Sequence, residues 1–263
     1  MNIGRRSLCT ALALSALALL PLAQPASADD DAGKAARQPL TLSRPGTYVL
    51  NRDLLIGEGV AIDITGRDVT LDLAGHFLEG PGERQGVGIR IREATNVRVF
   101  NGHVRRFGIG VQVLASTNVS VEGLQIDGMD SGGAPPDVEI GVLLVNSRGV
   151  RVTDNTITDT FLGVFVRGEG SAGNRVTGNL ITGGDAGELA ICYNPAPGGS
   201  GGPHGDLVSG NTIARFRRGL SLSANSTGNV VRDNTIAFFD LGIIEATPAS
   251  NVIDGNDEQQ IAR

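Results

Sequence analysis

The sequence predicts an all-β chain folded as a single-stranded right-handed parallel β-helix of about seven to nine coils. Three observations carry that prediction. Two short phrases alternate along the chain, and several of their steps are near 22 residues. The recurring strands are short and apolar at every second position, with Gly, Asn, Ser and Thr between them. Glycine is abundant at 38 residues, aromatic residues make up 4 %, tryptophan is absent, and long helical periodicity is missing beyond residue 28.

The first element is an expected secretory signal peptide over residues 1–28. Arg5 and Arg6 precede an uncharged Ala/Leu-rich run that ends on Ala26-Ser27-Ala28, a small-residue cleavage pattern, followed by Asp29-Asp30-Asp31. Pro21 and Pro25 interrupt the run, which disfavours a spanning helix. No second run of spanning length follows, so the mature chain is not expected to enter a membrane. A secreted or periplasmic location is the corresponding expectation. Residues 29–39 form an N-terminal segment with room for at most one short helix, and residues 40–263 form the β-helix.

The chain has 22 basic and 28 acidic residues, a net charge of −6, and loss of residues 1–28 makes it more acidic. That balance argues against nucleic acid as a partner. Cys9 leaves with the signal, so Cys192 stands alone and neither a disulfide framework nor a cysteine-rich metal site is expected. Stability must therefore come from packing and hydrogen bonding.

The first repeated phrase is Gly-apolar-x-apolar, as in Gly88-Ile89-Arg90-Ile91, Gly110-Val111-Gln112-Val113, Gly141-Val142-Leu143-Leu144 and Gly163-Val164-Phe165-Val166. The second is an asparagine before a short strand, as in Asn155-Thr156-Ile157, Asn179-Leu180-Ile181, Asn211-Thr212-Ile213 and Asn234-Thr235-Ile236, with Asn256 as an echo. A coil of this length matches one rung in which each strand pairs with its equivalent in the next. The asparagines are expected to lie one above another, in the left-handed conformation, with their amides bonded along the stack. A propeller calls for a longer period, and a sandwich does not require one phrase at a fixed step.

With Gly46-Thr47-Tyr48-Val49-Leu50, Val69–His76 and Val97–Val104, these phrases resemble the right-handed β-helix proteins of the pectin-lyase-like superfamily over about Leu40–Asp257. That group includes carbohydrate-binding and sugar-hydrolase domains, periplasmic copper-associated β-helix proteins, polyuronate lyases and mannuronan epimerases. The matching residues are turn and core residues, so they speak for the fold and say little about function.

The resemblance implies a lengthwise groove over the first strand of each coil. Insertions flank it: Gly80–Gly86 and Met129–Val138 before that strand, and Asn194–Gly205 after it. By alternation the floor presents Arg90, Arg92, Gln112, Leu143, Phe165, Arg167, Ser221 and Ile244, with no carboxylate. Paired-carboxylate hydrolysis lacks its groups on that floor. A calcium site would need Asp127, Asp130, Asp137 and Glu139 to converge, so calcium is left unsupported and no cofactor or protein metal site is assigned.

Arginines are the more suggestive feature. Arg90, Arg92, Arg105, Arg167, Arg217 and Arg218 are the candidate substrate-binding residues, because guanidinium forks suit the carboxylates of an anionic polysaccharide. His103, His204 and Arg106 are the candidate proton carriers for a lyase or epimerase, with Arg90, Arg92, Arg105, Arg106 and His103 expected to converge on one end of the groove. The bland alternative is that the arginines balance nearby acids. A third column, Arg98, Arg151 and Arg175, is expected away from the groove, paired with Glu122 and Asp154. His76 and His103 are expected in similar positions of successive rungs as turn residues, and His204 near Cys192 and Tyr193.

Two functional classes remain open. One is an exported protein that binds or processes an anionic polysaccharide. The other is a non-catalytic scaffold or binding protein, favoured by the apolar Leu143, Phe165 and Ile244.

Overall fold

A computed structural model describes residues 37–82, 84–128, 139–195, 201–246 and 250–262. The expected signal peptide, most of segment 29–39 and the insertion at 129–138 lie outside the described residues. Every regular element among the described residues is a β-strand, and strands of successive coils pair in parallel through about eight turns.

Three columns of strands result. The first sheet stacks Val60–Ile64, Val87–Arg92, Ile109–Leu114, Ile140–Val145, Leu162–Arg167 and Leu189–Asn194, then the final residues of Thr212–Leu222 and Thr235–Glu245. The second contains Arg67–Asp72, Arg151–Thr153, Arg175–Thr177 and Leu207–Ser209. The third contains Phe77–Glu79, Thr156–Thr158 and Leu180–Thr182. Thr95–Arg105 and Thr117–Asp127 each run unbroken from the second sheet into the third.

The pleat sends alternate residues inward. Ile89, Ile91, Val111, Val113, Val142, Leu144, Val164 and Val166 are all 0 % exposed, and they form like-on-like columns along the axis. The glycine near the start of most first-sheet strands is there for lack of a Cβ. At Gly141 a Cβ would lie 2.5 Å from Ile157 Cγ2 of the third sheet and 2.6 Å from the carbonyl oxygen of Gly163 on the next coil. Two carbon atoms cannot approach that closely, so at the narrow corner between the first and third sheets even alanine would force its neighbours on this coil to shift.

Buried polar ladders replace disulfides as the internal staple. Asn155, Asn179, Asn211 and Asn234 are each 1 % exposed. Asn179 Nδ2 donates to Asn211 Oδ1 at 2.9 Å and to the Val152 carbonyl at 2.8 Å, while its Oδ1 accepts the Asn155 N–H at 2.9 Å. Asn211, Asn234 and Asn256 repeat the pattern. The left-handed conformation, expected at these asparagines, falls one residue earlier, at Asp154 (φ 54°), Gly178 (68°), Gly210 (64°) and Asp233 (55°). The preceding residue makes the turn, which frees the asparagine side chain to point inward and bond to the backbone.

A second ladder, absent from the sequence reading, runs along the corner between the first and second sheets through Asn174, Asp206, Asn229 and Asn251. Its steps match those of the first ladder, but aspartate stands at position 206 and no Asn-Thr-Ile phrase marks its members, which hid the repeat.

Candidate functional site

The register fixes the outer face of the first sheet. One row reads Asp63, Arg90, Gln112, Leu143, Phe165, Cys192, Ser221 and Ile244. A parallel row contains Arg92, Leu114, Val145, Arg167 and Asn194. Two members were missed from sequence, for one reason. Ala61 and Ala190 stand where the other coils have glycine, so the phrases leading to Asp63 and Cys192 lacked their marker.

Asp63 corrects the expectation of a floor without carboxylate. Arg90 Nε donates to Asp63 Oδ1 at 2.9 Å, and Arg92 holds Oδ2 through Nη2 at 3.0 Å. The Arg90 hydrogen bond, reinforced by Arg92 and opposed by partial burial, pulls the Asp63 carboxyl below its ordinary range and keeps it ionised. Two guanidinium groups on one carboxylate leave the cluster with an excess of one positive charge.

Further along, Arg167 lies over the Phe165 ring at 5.9 Å. Cys192 above it is buried, its sulfur accepts from Asn194 Nδ2 at 3.4 Å, and burial pushes its thiol up to about 12. Leu143 is also buried, at 9 % exposure, so the apolar stripe expected on the surface is largely covered at its centre.

The remaining arginines are distributed differently from the sequence expectation. Arg105 and Arg106 bind Glu79, at 2.7 and 3.4 Å, and Arg105 with Glu79 belongs to the third sheet. Exposed His103 stands there too, paired in register with Phe77, so it does not share a face with Arg90 and Arg92. Arg217 binds Glu188 and Asp240, Arg218 binds Glu188, and Arg215 binds Asp185. These are the acid-balanced pairs of the bland alternative. Arg98 pairs with Glu122 as expected, whereas Arg151 donates to Asn118 Oδ1 at 3.2 Å and not to Asp154.

The histidines do not assemble a centre. Phe77, not His76, is the register partner of His103, and His76 Nδ1 lies 3.1 Å from Asp53 Oδ1. His204 is exposed on a column of single β-bridges with Ala172 and Thr227, with Nδ1 at 3.3 Å from the Gly202 carbonyl. The expected Cys192, Tyr193 and His204 grouping fails because adjacent strand residues face opposite sides. Cys192 takes the outer row and Tyr193 the core. Of the acids considered for calcium, Asp127 accepts from Thr158 Oγ1 at 2.7 Å and buried Glu139 lies 3.8 Å from Arg84 Nε. Asp130 and Asp137 lie outside the described residues.

Three columns of strands, paired in parallel from coil to coil, define a right-handed parallel β-helix of the pectin-lyase-like type. The chain belongs to the periplasmic copper-binding protein (NosD) family, whose sequence pattern matches residues 60–257. Comparison with curated proteins gives no match. Among solved structures it is similar to a tailspike mutant of E. coli bacteriophage HK620 in complex with a pentasaccharide, at 14 % identity and a TM-score of 0.62. The similarity covers 83 % of this chain and 44 % of that one. It is also similar to tailspike protein 2 of bacteriophage CBA120 (12 % identity, TM-score 0.58, 88 % and 39 % covered). An alginate lyase from Paenibacillus sp. str. FPU-7 shares 12 % identity at a TM-score of 0.51, with 82 % of this chain and 95 % of the lyase covered. The chain thus spans under half the length of the two tailspikes, and at these identities the likeness establishes the fold alone.

The family description raises copper, which the described residues do not fit. Copper favours thiolate, thioether and imidazole ligands. Cys192 is buried as a neutral thiol, and no three His, Cys, Asp or Glu side chains converge among the described residues.

Among the described residues no helix is long and apolar enough to cross a membrane.

Proposed function

We propose that this is an exported protein whose first-sheet face binds an extracellular anionic polysaccharide. The observation that carries the reading is the Asp63–Arg90–Arg92 cluster on the outer row of that face. Asp63 orients both guanidinium groups while leaving the cluster net positive, an arrangement suited to a carboxylate or sulfate on a passing chain. Gln112 on the next coil and the Phe165–Arg167 pair two coils beyond it extend a polar and stacking track along the axis. Export is supported by the signal-like residues 1–28 and by the family's periplasmic description. Glycan binding draws support from the tailspike bound to a pentasaccharide, and an anionic polymer from the alginate lyase.

Binding is favoured over lyase or epimerase chemistry. His103 lies on the third sheet, His204 on the β-bridge column with Ala172 and Thr227, and Asp63 is fixed as an ion by two arginines. A panel of alginate, pectate and glycosaminoglycan oligomers tests both. Calorimetry reads binding, and absorbance near 235 nm reads the unsaturated uronate that a lyase releases. Salt-sensitive binding without absorbance supports the proposal; growth of the 235 nm band establishes a lyase instead.

A further inference from the structure

We propose that the corner between the second and third sheets carries a second saccharide subsite, a notch at Gly123 that takes one uncharged pyranose unit. Asn101, Gly123, Asp154 and Gly178 stack in one column and turn the chain with left-handed φ of 61°, 59°, 54° and 68°. Their side chains part around Gly123. Asn101 Nδ2 is drawn one coil back by Asp72 Oδ1 at 2.9 Å. Asp154 leans one coil forward, its Oδ1 filling the space that a Cβ on Gly178 would occupy. Gly123 itself has nothing within 4 Å of the place its Cβ would take. The opening from Asn101 to Asp154 covers two coil steps, about 10 Å at the usual strand spacing.

The notch continues onto both flanking sheets. On the second-sheet side it joins a hollow of about 440 Å³ beside Phe100 and Glu122; on the third-sheet side it joins one of about 240 Å³ beside His103 and Gln125. Asn101, Gly123 and Asp154 line both. Amides, a carboxylate and an imidazole around a space of this size match the alternating donors and acceptors of sugar hydroxyls. Charge selects among sugars. The Arg98 guanidinium is committed to Glu122 and to the Phe100 ring at 4.0 Å, while the Asp154 side chain makes no hydrogen bond among the described residues. A uronate would meet an unbalanced carboxylate, so the ligand class is an uncharged hexose or N-acetylhexosamine. This subsite goes beyond the first-sheet reading and is independent of it.

Amide ¹H–¹⁵N spectra of the mature chain, titrated with methyl glycosides of glucose, galactose and N-acetylglucosamine, test the proposal. The methyl glycoside of galacturonic acid is the charged control. The expected result is shifts at the Gly102, Gly123 and Gln125 amides with at least one neutral glycoside, with a dissociation constant of about 1 mM, the order one sugar unit reaches in a shallow site. Gly123→Asn refills the notch with a residue that Asn101 shows to be tolerated at this φ, and weakens that binding tenfold or more. If Gly123→Asn fails to fold, Asp154→Gly, which copies Gly178 and Gly210, serves as the second variant with the same expectation. The proposal is overturned if no neutral glycoside shifts these amides, if the uronate binds better, or if a folded variant binds as the parent does. Arg90→Gln leaves these shifts unchanged, which separates failure here from failure of the first-sheet reading.

Discussion

Asp206 Oδ1 accepts the backbone N–H of Asn174 at 2.7 Å from a ladder position that asparagine occupies on the adjacent coils. Asp206 is 1 % exposed, and burial raises its carboxyl to about 6 against the pull of the Asn174 N–H and amide and of His204. The fully buried Tyr193 hydroxyl feels this carboxylate but makes no hydrogen bond of ordinary geometry with it. A carboxylate also lacks the amide N–H that Asn229 passes on to Asn251.

The raised value sets a sign. Between the unfolded value near 3.8 and the folded value near 6 the native state holds the extra proton, so this contribution to stability falls as pH rises through that window. Asp206→Asn should therefore raise the unfolding free energy at pH 7.5 by about 2 kcal/mol, read from urea titrations. The gain should fade below pH 4. An equal gain at both pH values would detach it from ionisation.

The ladder makes a positional prediction. Asn179→Ala removes bonds to Val152, Asn155 and Asn211 inside the core and should cost about 3 kcal/mol in chemical denaturation. Asn256→Ala at the partly exposed end, where water replaces the amide, should cost about 1 kcal/mol. Equal costs would mean that burial of the ladder contributes little.

Gly141→Ala should destabilise by about 1–3 kcal/mol, because its methyl group meets Ile157 and the Gly163 carbonyl. Ala190→Gly, at the equivalent position of a coil that already holds a methyl group, should change stability by under about 1 kcal/mol. Thermal unfolding of both variants checks the contrast.

The sequence made the coil legible wherever a marker residue recurred. Period-two apolar residues and Asn155, Asn179, Asn211 and Asn234 announced strand, corner and ladder, because each satisfies the same local constraint on every coil. The outer face obeys no such constraint. Asp63 was hidden by alanine in place of the marker glycine, and its grip on Arg90 and Arg92 joins residues a full coil apart. His103 looked close to those arginines along the chain, yet the corner before it carries it onto another sheet. Even for the ladder, sequence could not tell which of two adjacent residues takes the left-handed turn.

Within the first-sheet cluster, loss of the arginines and loss of Asp63 should have opposite effects on binding. Arg90→Gln with Arg92→Gln removes the guanidinium groups, whereas Asp63→Asn frees them from their internal partner. Calorimetry of residues 29–263 and of these variants with oligogalacturonate and alginate oligomers, at low and at physiological salt, is the most direct measurement. Binding should weaken with salt, fall tenfold or more in the double arginine variant, and be retained or tightened in Asp63→Asn. Affinity unchanged in the arginine variant, or equal for neutral oligosaccharides, would contradict the proposed function.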